Sequence, residues 1–213
     1  GRRKNGIPNT RSQAISRPVM HELLLNSVRS KIAISDEELK KLLTFFFPRK
    51  IRKRQYVLNA GDVCQHLTFV ESGLLRSFYA DDKANEHVVQ FASEGWWITD
   101  MGSFFSGEPA MYNIEALEDT EMLVLPRTSH DMMMDAIPAM ERYFRLLLQN
   151  SLVASQKRLI RSMKDPAESR YLTLINDYHD IANRAPLHDV ASYLGITPET
   201  LSRIRRQLSQ RKS

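Results

Sequence analysis

The chain has 213 residues, of which 42% are hydrophobic and 26% are charged. This composition is typical of a globular protein with one or two domains, and no apolar run approaches the ~20 residues that a membrane-spanning helix needs. No secretory signal is readable, because no apolar segment follows the basic N-terminus. The single cysteine, Cys64, excludes an intramolecular disulfide framework and a metal or iron–sulfur site held by several cysteines. These features predict a cytoplasmic protein in a reducing compartment.

The net charge of +5 is unevenly distributed along the chain. Residues 1–19 carry five cationic side chains and no acid, as do residues 201–213, so the body between them is net acidic. Residues 1–19 also lack an apolar period, which predicts a disordered basic tail. A basic C-terminal end on an acidic body indicates an anionic partner that docks at that end, although solvated chain ends would carry the same charges.

The predicted elements begin with helices and continue with strands. Residues 20–47 have a helical pattern in which Ser35 and Glu38 form a capping box, and Pro48 is expected to end this run. From about residue 51 to residue 125 the apolar period shortens toward two, with turn signals between short segments. The candidate strands are residues 55–59, 67–71, 74–79, 87–92, 113–117 and 122–125. This spacing predicts a β-sandwich or β-roll, within a sensor domain that spans residues 20–135.

After Pro126 the pattern is helical again. Residues 140–163 contain neither Gly nor Pro and predict one long helix, assigned with its flanks to residues 136–164. This helix carries two apolar seams, whereas packing against a single neighbouring element would require only one. The seams indicate a helix that packs on its own domain and on a second copy, through Phe144, Leu147, Leu148 and Ala154. Burial of both seams within one chain is the alternative. Residues 165–213 form the last predicted domain and open with an amphipathic helix over 167–183.

The segment from Leu187 to Ile204 predicts a helix-turn-helix. Gly195 ends the first helix and suits the tight turn, because it tolerates positive φ. Thr197 is a natural N-cap for the second helix, and Pro198 suits its first position. Small or apolar side chains fill the wedge between the two helices: Val190, Ala191, Leu194, Ile196, Leu201 and Ile204.

The second helix then presents a polar outer face, formed by Thr197, Glu199, Thr200, Ser202, Arg203 and Arg206. A helix of this kind enters the major groove of DNA with its N-terminal end first. Glu199 is placed to accept from a cytosine amino group, and Arg203 to pair with guanine. Arg206, Arg211 and Lys212 are expected to meet phosphates. The alternative for Glu199 and Arg203 is an i,i+4 ion pair on a solvated helix.

A β-roll, a long helix and the C-terminal segment GITPETLSRI, in that order, resemble the Crp/Fnr (cyclic-AMP receptor/fumarate-nitrate regulator) family over roughly residues 21–208. Glu199, Thr200 and Arg203 match the family's Glu-Thr-x-x-Arg recognition pattern, whereas Pro198 stands where the family has an earlier Arg. The resemblance implies an α+β fold with a cyclic-nucleotide-binding-like β-roll (a double-stranded β-helix), a dimerisation helix and a helix-turn-helix domain whose wing is truncated or absent. It implies a bacterial-type transcription regulator that binds pseudo-palindromic double-stranded DNA as a homodimer, with no membrane partner. RNA polymerase and an unknown small-molecule effector stay open as further partners.

In this family the β-roll binds cyclic AMP through a Gly-Glu-Leu element and an Arg-Ser/Thr-Ala element about ten residues later. The aligned residues here are Thr99, Asp100 and Met101, followed by Ala110, Met111 and Tyr112. Asp100 is a candidate replacement for the Glu that binds a ribose hydroxyl, but nothing replaces the Arg. A charge-assisted contact of that kind is worth ~1.5–3 kcal/mol, about tenfold to 150-fold in affinity. Tight binding of cyclic AMP is therefore not expected. An effector-independent regulator, or a β-roll that docks another protein, is the alternative.

Three other features of the sequence are candidates for chemistry. The dipeptides His130-Asp131, His179-Asp180 and His188-Asp189 are of a type found in metal phosphohydrolases, but each falls in a different predicted helix. We therefore expect neither a metal site nor an enzyme. The aromatic residues Phe91, Trp96, Trp97, Phe104 and Phe105 either form core or line an apolar pocket. Cys64 is expected to be a plain buried side chain, with a redox-sensing thiol as the alternative.

Overall fold

The computed structural model describes residues 21–178 and 180–211. In this part of the chain, α1 (Glu22–Arg29) and α2 (Asp36–Leu43) precede the strands β1 (Phe47–Ile51), β2 (Tyr56–Leu58), β3 (His66–Ser72), β4 (Leu75–Ala80), β5 (Glu86–Ala92), β6 (Trp97–Ile98), β7 (Asn113–Ala116) and β8 (Thr120–Pro126). A short helix, α3 (Met101–Ser106), lies between β6 and β7. The remaining helices are α4 (Arg127–Ala136), α5 (Ala139–Lys164), α6 (Ala167–Asp177), α7 (Ile181–Arg184), α8 (Leu187–Leu194) and α9 (Pro198–Gln210). The predicted α+β class and the order of its parts are confirmed.

The strands form a β-roll of two antiparallel sheets, ordered β1-β8-β3-β6 and β2-β7-β4-β5. Its interior is apolar, with Phe69, Leu123 and Ile114 almost fully buried. The turn between β3 and β4 requires Gly73, whose φ is 102° and at which a Cβ would lie 2.6 Å from the carbonyl oxygen of Asp119. The six predicted strands correspond to β2, β3, β4, β5, β7 and β8.

The structure adds two strands that the sequence pattern does not predict, β1 and β6, and it shortens the helix before them. Helix α2 opens with the predicted capping box, because Ser35 Oγ accepts the N–H of Glu38 and the Glu38 carboxylate accepts the N–H of Ser35. It ends at Leu43, so Pro48 does not terminate a helix but lies within β1. Strand β1 is paired only with β8, at the edge of its sheet, where a residue without an N–H is tolerated.

Helix α5 has 26 residues and extends one residue beyond the predicted span of 140–163 at each end. Its first turns belong to the core of the roll, where Met140, Tyr143 and Phe144 are buried. The expectation that Phe144 faces a second copy is therefore wrong, because its ring is only 7% exposed and packs within its own chain. None of the helices in residues 21–178 and 180–211 combines the length and apolarity that a bilayer-crossing helix requires.

The predicted helix over residues 167–183 is in fact two helices, α6 and α7. The chain leaves the helical conformation at Tyr178, whose φ and ψ are −142° and 67°. The break lets the Tyr178 ring contact Trp96 of the roll, at 5.2 Å between ring centroids, while Ile181 and Ala182 stay buried. The C-terminal helices share one apolar cluster with β4 and β5, in which Phe78 and Val88 of the roll are buried together with residues of α8 and α9. The last domain is thus seated on the roll of its own chain.

Candidate functional site

The turn between α8 and α9 has the geometry that the sequence predicts. Gly195 ends α8 in the left-handed region, at φ 65° and ψ 39°. The Thr197 side chain then caps α9 by accepting the N–H of Thr200 at 3.2 Å, and Pro198 occupies the first helical position. The predicted wedge residues Val190, Ala191, Leu194, Leu201 and Ile204 are all buried, and Ile196 packs partly buried against them.

The opposite face of α9 is open to solvent. Thr197, Glu199, Arg203 and Arg206 are exposed, and Thr200 and Ser202 are half-buried. Hydrogen bonds from the backbone and from the Thr197 hydroxyl lower the pKa of Glu199 below its ordinary value. Within the described residues neither Arg203 nor Arg206 has an ion-pair partner, so the ion pair between Glu199 and Arg203 that we held as an alternative is not formed. Two guanidinium groups are therefore free to meet an anionic partner on this face.

The other C-terminal cations are not equivalent to these two. Arg205 turns inward, donates to the carbonyl of Ala182 at 2.8 Å and lies over the Tyr171 ring. Arg211, which we expected to meet a phosphate, pairs with Glu168 of α6 instead. Lys212 lies outside the described residues. The exposed cationic surface of α9 is thus smaller than the number of C-terminal cations suggests.

The two aligned elements of the cyclic-nucleotide site lie side by side, and Asp100 joins them. Its side chain is 3% exposed and caps α3, because Oδ1 accepts the N–H of Ser103 at 2.9 Å. Its Oδ2 accepts the N–H of Met111 at 2.8 Å. Both carboxylate oxygens are thus engaged by the chain's own backbone. The expectation that Asp100 replaces a ribose-binding Glu is not supported by this geometry, since the carboxylate points into the protein rather than toward a ligand.

The residues around Asp100 also bind within the chain. The Thr99 hydroxyl lies 3.3 Å from Cys64 Sγ, and the backbone N–H of Ala110 donates to the backbone carbonyl oxygen of Asp62 at 2.7 Å. Ala110 is buried, whereas the Met111 side chain is 67% exposed. Met101 and Tyr112 are half-buried. No guanidinium stands at the position of the family's Arg, because Ala110 occupies it.

Phe91, Trp97 and Phe104 pack in or against the core, whereas Trp96 is 41% exposed and Phe105 is 51% exposed. Trp97 Nε1 donates to the Tyr143 hydroxyl at 3.1 Å, and the Trp97 ring contacts Phe69 and Phe144. Phe104 is 1% exposed. Cys64 is buried, as expected. Across residues 21–178 and 180–211, no three His, Cys, Asp or Glu side chains converge to hold a metal ion; His179, from one of the three His-Asp dipeptides, lies outside the described residues.

The distal half of α5 has two different sides. One side touches its own chain, where Arg158 donates to the carbonyl of Val89 and lies over the Tyr193 ring. The other side exposes large apolar residues: Leu148 (40%), Leu152 (60%), Val153 (48%), Leu159 (57%), Ile160 (54%) and Met163 (77%). Leu147 is partly buried against the core, and Ala154 is exposed. Leu148 and Leu152 also line an open groove of about 480 Å³ together with Phe105, His130 and Met134.

The sequence did not indicate the contacts that join α8 to the roll. Arg76 of β4, which is 5% exposed, binds Asp189 of α8, which is 1% exposed. Ser192 of α8 binds the backbone of β5. The one signal available was Asp189 itself, a charged residue beside the apolar wedge positions of α8. Its partner lies 113 residues away, so no local pattern could identify it.

Comparisons with known proteins agree with this architecture. The family described as cyclic nucleotide-binding domain matches residues 48–136, which hold almost the entire β-roll. Electron transport regulator A of Shewanella oneidensis is 23% identical over 199 residues, covering 86% of this chain and 78% of that protein. The fumarate and nitrate reduction regulatory protein of Escherichia coli K12 is 25% identical over 183 residues, covering 80% of this chain and 72% of that protein.

The fold is similar to that of FixK2 from Bradyrhizobium japonicum, with a TM-score of 0.70 and 19% identity over 78% of this chain and 86% of that one. This likeness shows the fold. The sequence similarity to the two regulatory relatives also covers most of the chain. With a β-roll of the cyclic-nucleotide-binding type, a long helix and a C-terminal helix-turn-helix in this order, the chain contains a cyclic nucleotide-binding domain and is similar over most of its length to regulators of the Crp/Fnr family.

Proposed function

We propose that the chain binds a pseudo-palindromic DNA site as a homodimer and regulates transcription in the cytoplasm; we do not propose an enzymatic activity. The observation that carries this proposal is the asymmetry of α9. One side buries Leu201 and Ile204 in the wedge, and the other side exposes Arg203 and Arg206 without ion-pair partners among the described residues. A helix that is apolar on one side and cationic on the other, capped by Thr197, is suited to the major groove.

Within this proposal the outward residues of α9 have different roles. Arg203 reads a guanine through its O6 and N7 atoms, and Glu199 accepts from a cytosine amino group. Thr197, Thr200 and Ser202 lie close enough to the N-terminal end of α9 to contact the sugar-phosphate backbone or a base edge. Arg206, about one turn beyond Ser202 along the helix, contacts a phosphate and contributes affinity without sequence information.

The exposed face of α5 supports the dimer. Six large apolar side chains lie along it at helical spacing, opposite the side that Arg158 ties to the roll. A second copy of the same helix would bury them in a two-fold interface. In such a dimer two α9 helices face adjacent turns of the duplex, ~34–36 Å apart.

Selection from a pool of randomised DNA duplexes tests the proposal directly. The purified protein is expected to enrich two inverted half-sites whose centres are about one helical turn apart. Recovery of unrelated sequences, with the same affinity for every duplex, would contradict a sequence-reading function. A control selection with Leu201→Glu, which places a charge in the buried wedge, should enrich nothing.

We further propose that the β-roll does not bind cyclic AMP through the phosphate contacts that the family uses. The Asp100 carboxylate already accepts two backbone N–H groups at the aligned site, and a phosphate brought there would meet this buried anion and find no Arg. This arrangement favours an effector-independent regulator, or one that responds to another ligand or to a docked protein.

Calorimetric titration with cyclic AMP is expected to give no heat of binding up to millimolar concentrations. The missing charge-assisted contact alone costs about tenfold to 150-fold in affinity, and the Asp100 carboxylate, where the family has a ribose-binding Glu, is already engaged by two backbone N–H groups. The same protein sample should still bind the selected DNA, which shows that it is folded. Saturable heat at micromolar cyclic AMP would contradict the proposal.

A further inference from the structure

Helix α8 covers an open edge of the β-roll of its own chain. Strand β5 is the last strand of the sheet β2-β7-β4-β5, so one side of its backbone has no strand partner within residues 21–178 and 180–211. Edge strands of this kind expose unpaired N–H and C=O groups. Here α8 lies against β5, and Phe91 and Val88 of the strand are buried with residues of the C-terminal helices.

The Ser192 hydroxyl takes the place of a strand partner at this edge. It accepts the N–H of Val88 at 2.9 Å and donates to the carbonyl oxygen of Glu86 at 2.9 Å. Residues 86 and 88 point their backbone groups to the same side of a strand, so one hydroxyl can satisfy both. The Val88 amide therefore depends on α8 for its hydrogen bond.

A buried ion pair lies beside this contact. Arg76 of β4 binds Asp189 of α8, and on the side of the roll it also binds Glu86 and Glu115. Burial raises the pKa of Asp189 above its ordinary value, against the opposing effect of the Arg76 guanidinium. Asp189 Oδ2 is buried without a hydrogen-bond partner. The Arg76 guanidinium contacts this carboxylate, and His188 Nε2 also lies 3.2 Å from its Oδ1. Losing these partners would be unfavourable, because an unpaired buried charge is costly.

The ion pair restricts orientation more than the apolar contact does. Apolar surfaces can slide over one another at little cost. The ion pair between Arg76 and Asp189 and the two hydrogen bonds of the Ser192 hydroxyl are instead lost when α8 moves by a few ångströms. Arg184 of α7 adds a second ionic contact, to Glu94 and Glu118 of the roll. Arg158 of α5 holds Val89, so the long helix, the strand edge and α8 meet at one junction.

We propose that Asp189 and Ser192, through Arg76 and the edge of β5, are positioning residues that fix the angle at which α9 is presented to DNA. They form a latch between the helix-turn-helix and the roll of the same chain. None of the three side chains contacts the outward face of α9. The consequence for DNA rests on the proposed function, whereas the latch itself is a property of the fold.

The variants Asp189→Ala and Ser192→Ala test the latch from the α8 side. Changing Arg76 would leave Glu86 and Glu115 unpaired within the roll, whereas Asp189 and Ser192 reach out of their own domain. Hydrogen exchange of the Val88 amide reports whether α8 is docked on β5. Exchange of the Leu123 amide, in the central strand β8, reports whether the roll itself stays folded. Exchange at Val88 is expected to rise roughly 10- to 100-fold in Asp189→Ala, the factor that corresponds to losing a charge-assisted hydrogen bond, with no change at Leu123. Asp180→Ala, at an exposed acid of the same domain with no side-chain cap bond, is the matched control and should change neither amide.

Binding to duplexes whose half-sites are moved apart by one or two base pairs tests the positioning role. The wild-type protein should accept one spacing, and Asp189→Ala should accept several with similar affinity. Unchanged exchange at Val88 in both variants would overturn the latch. Faster exchange at Val88 with the spacing preference retained would overturn the positioning role. If the wild-type protein binds no duplex at all, the proposed function fails, while the exchange rates still decide whether the latch exists.

Discussion

Leu152→Glu is expected to convert the proposed homodimer into a monomer and to remove high-affinity DNA binding. The Leu152 side chain is 60% exposed within one chain and lies in the middle of the apolar face of α5. In a two-fold interface the change acts twice, and each copy loses the burial of one leucine, ~1.5–3 kcal/mol. The free energy of dimerisation should therefore become less favourable by ~3–6 kcal/mol. The dissociation constant of the dimer should rise roughly a hundredfold to more than ten-thousandfold. Sedimentation at micromolar concentration should show the mass of one chain instead of two.

Asn150→Glu is the matched control for this change. Asn150 is also exposed on α5, but it lies two residues away and therefore on roughly the opposite side of the helix. The substitution introduces the same carboxylate at a position that does not lie on the apolar face of α5, so the protein should stay dimeric. Because Leu152 contributes little to the core of its own chain, thermal unfolding of the monomer should still be cooperative. A wild-type protein that sediments as a monomer, or a Leu152→Glu protein that stays dimeric, would contradict the assignment of this face.

Local signals were sufficient to predict the helix-turn-helix. Gly195, Thr197 and Pro198 fix the turn and the start of α9 through their own backbone preferences, and the wedge residues follow the helical period. The same holds for the capping box at Ser35. Each of these features depends on residues within a few positions of one another, which a single sequence displays directly.

Features that depend on distant partners were missed or misassigned. Strand β1 exists because it pairs with β8, 69 to 77 residues away, and its Pro48 reads locally as a helix terminator. The alignment located Asp100 correctly, but its role depends on the N–H of Met111, which only the folded loop brings within 2.8 Å. The contact of Arg76 with Asp189 joins two domains and leaves no periodic trace in either segment.

Arg203→Ala should lower affinity for the selected DNA site by ~1–3 kcal/mol per half-site and relax base choice at one position in each. The guanidinium is exposed on the outward face of α9 and carries no ion pair in the described part of the chain, so its removal leaves the wedge of Leu201 and Ile204 intact. A bidentate contact to guanine is lost, and Arg206, the other guanidinium on that face, is assigned to a phosphate and lies about one turn further along the helix. Affinity measured on the selected site and on duplexes with each base substituted at that position checks the expectation.

Arg206→Ala supplies the comparison that separates base recognition from electrostatic binding to phosphates. A phosphate contact contributes equally on every duplex, so this variant should weaken binding to the selected and to random sequences alike. The slope of log affinity against log salt should fall by about one per half-site, because one fewer counterion is released. Arg203→Ala should instead weaken binding to the selected site much more than binding to random duplex. Equal losses on both duplexes for Arg203→Ala would reduce Arg203 to a phosphate contact and move the sequence-reading role to Glu199 or its neighbours on α9.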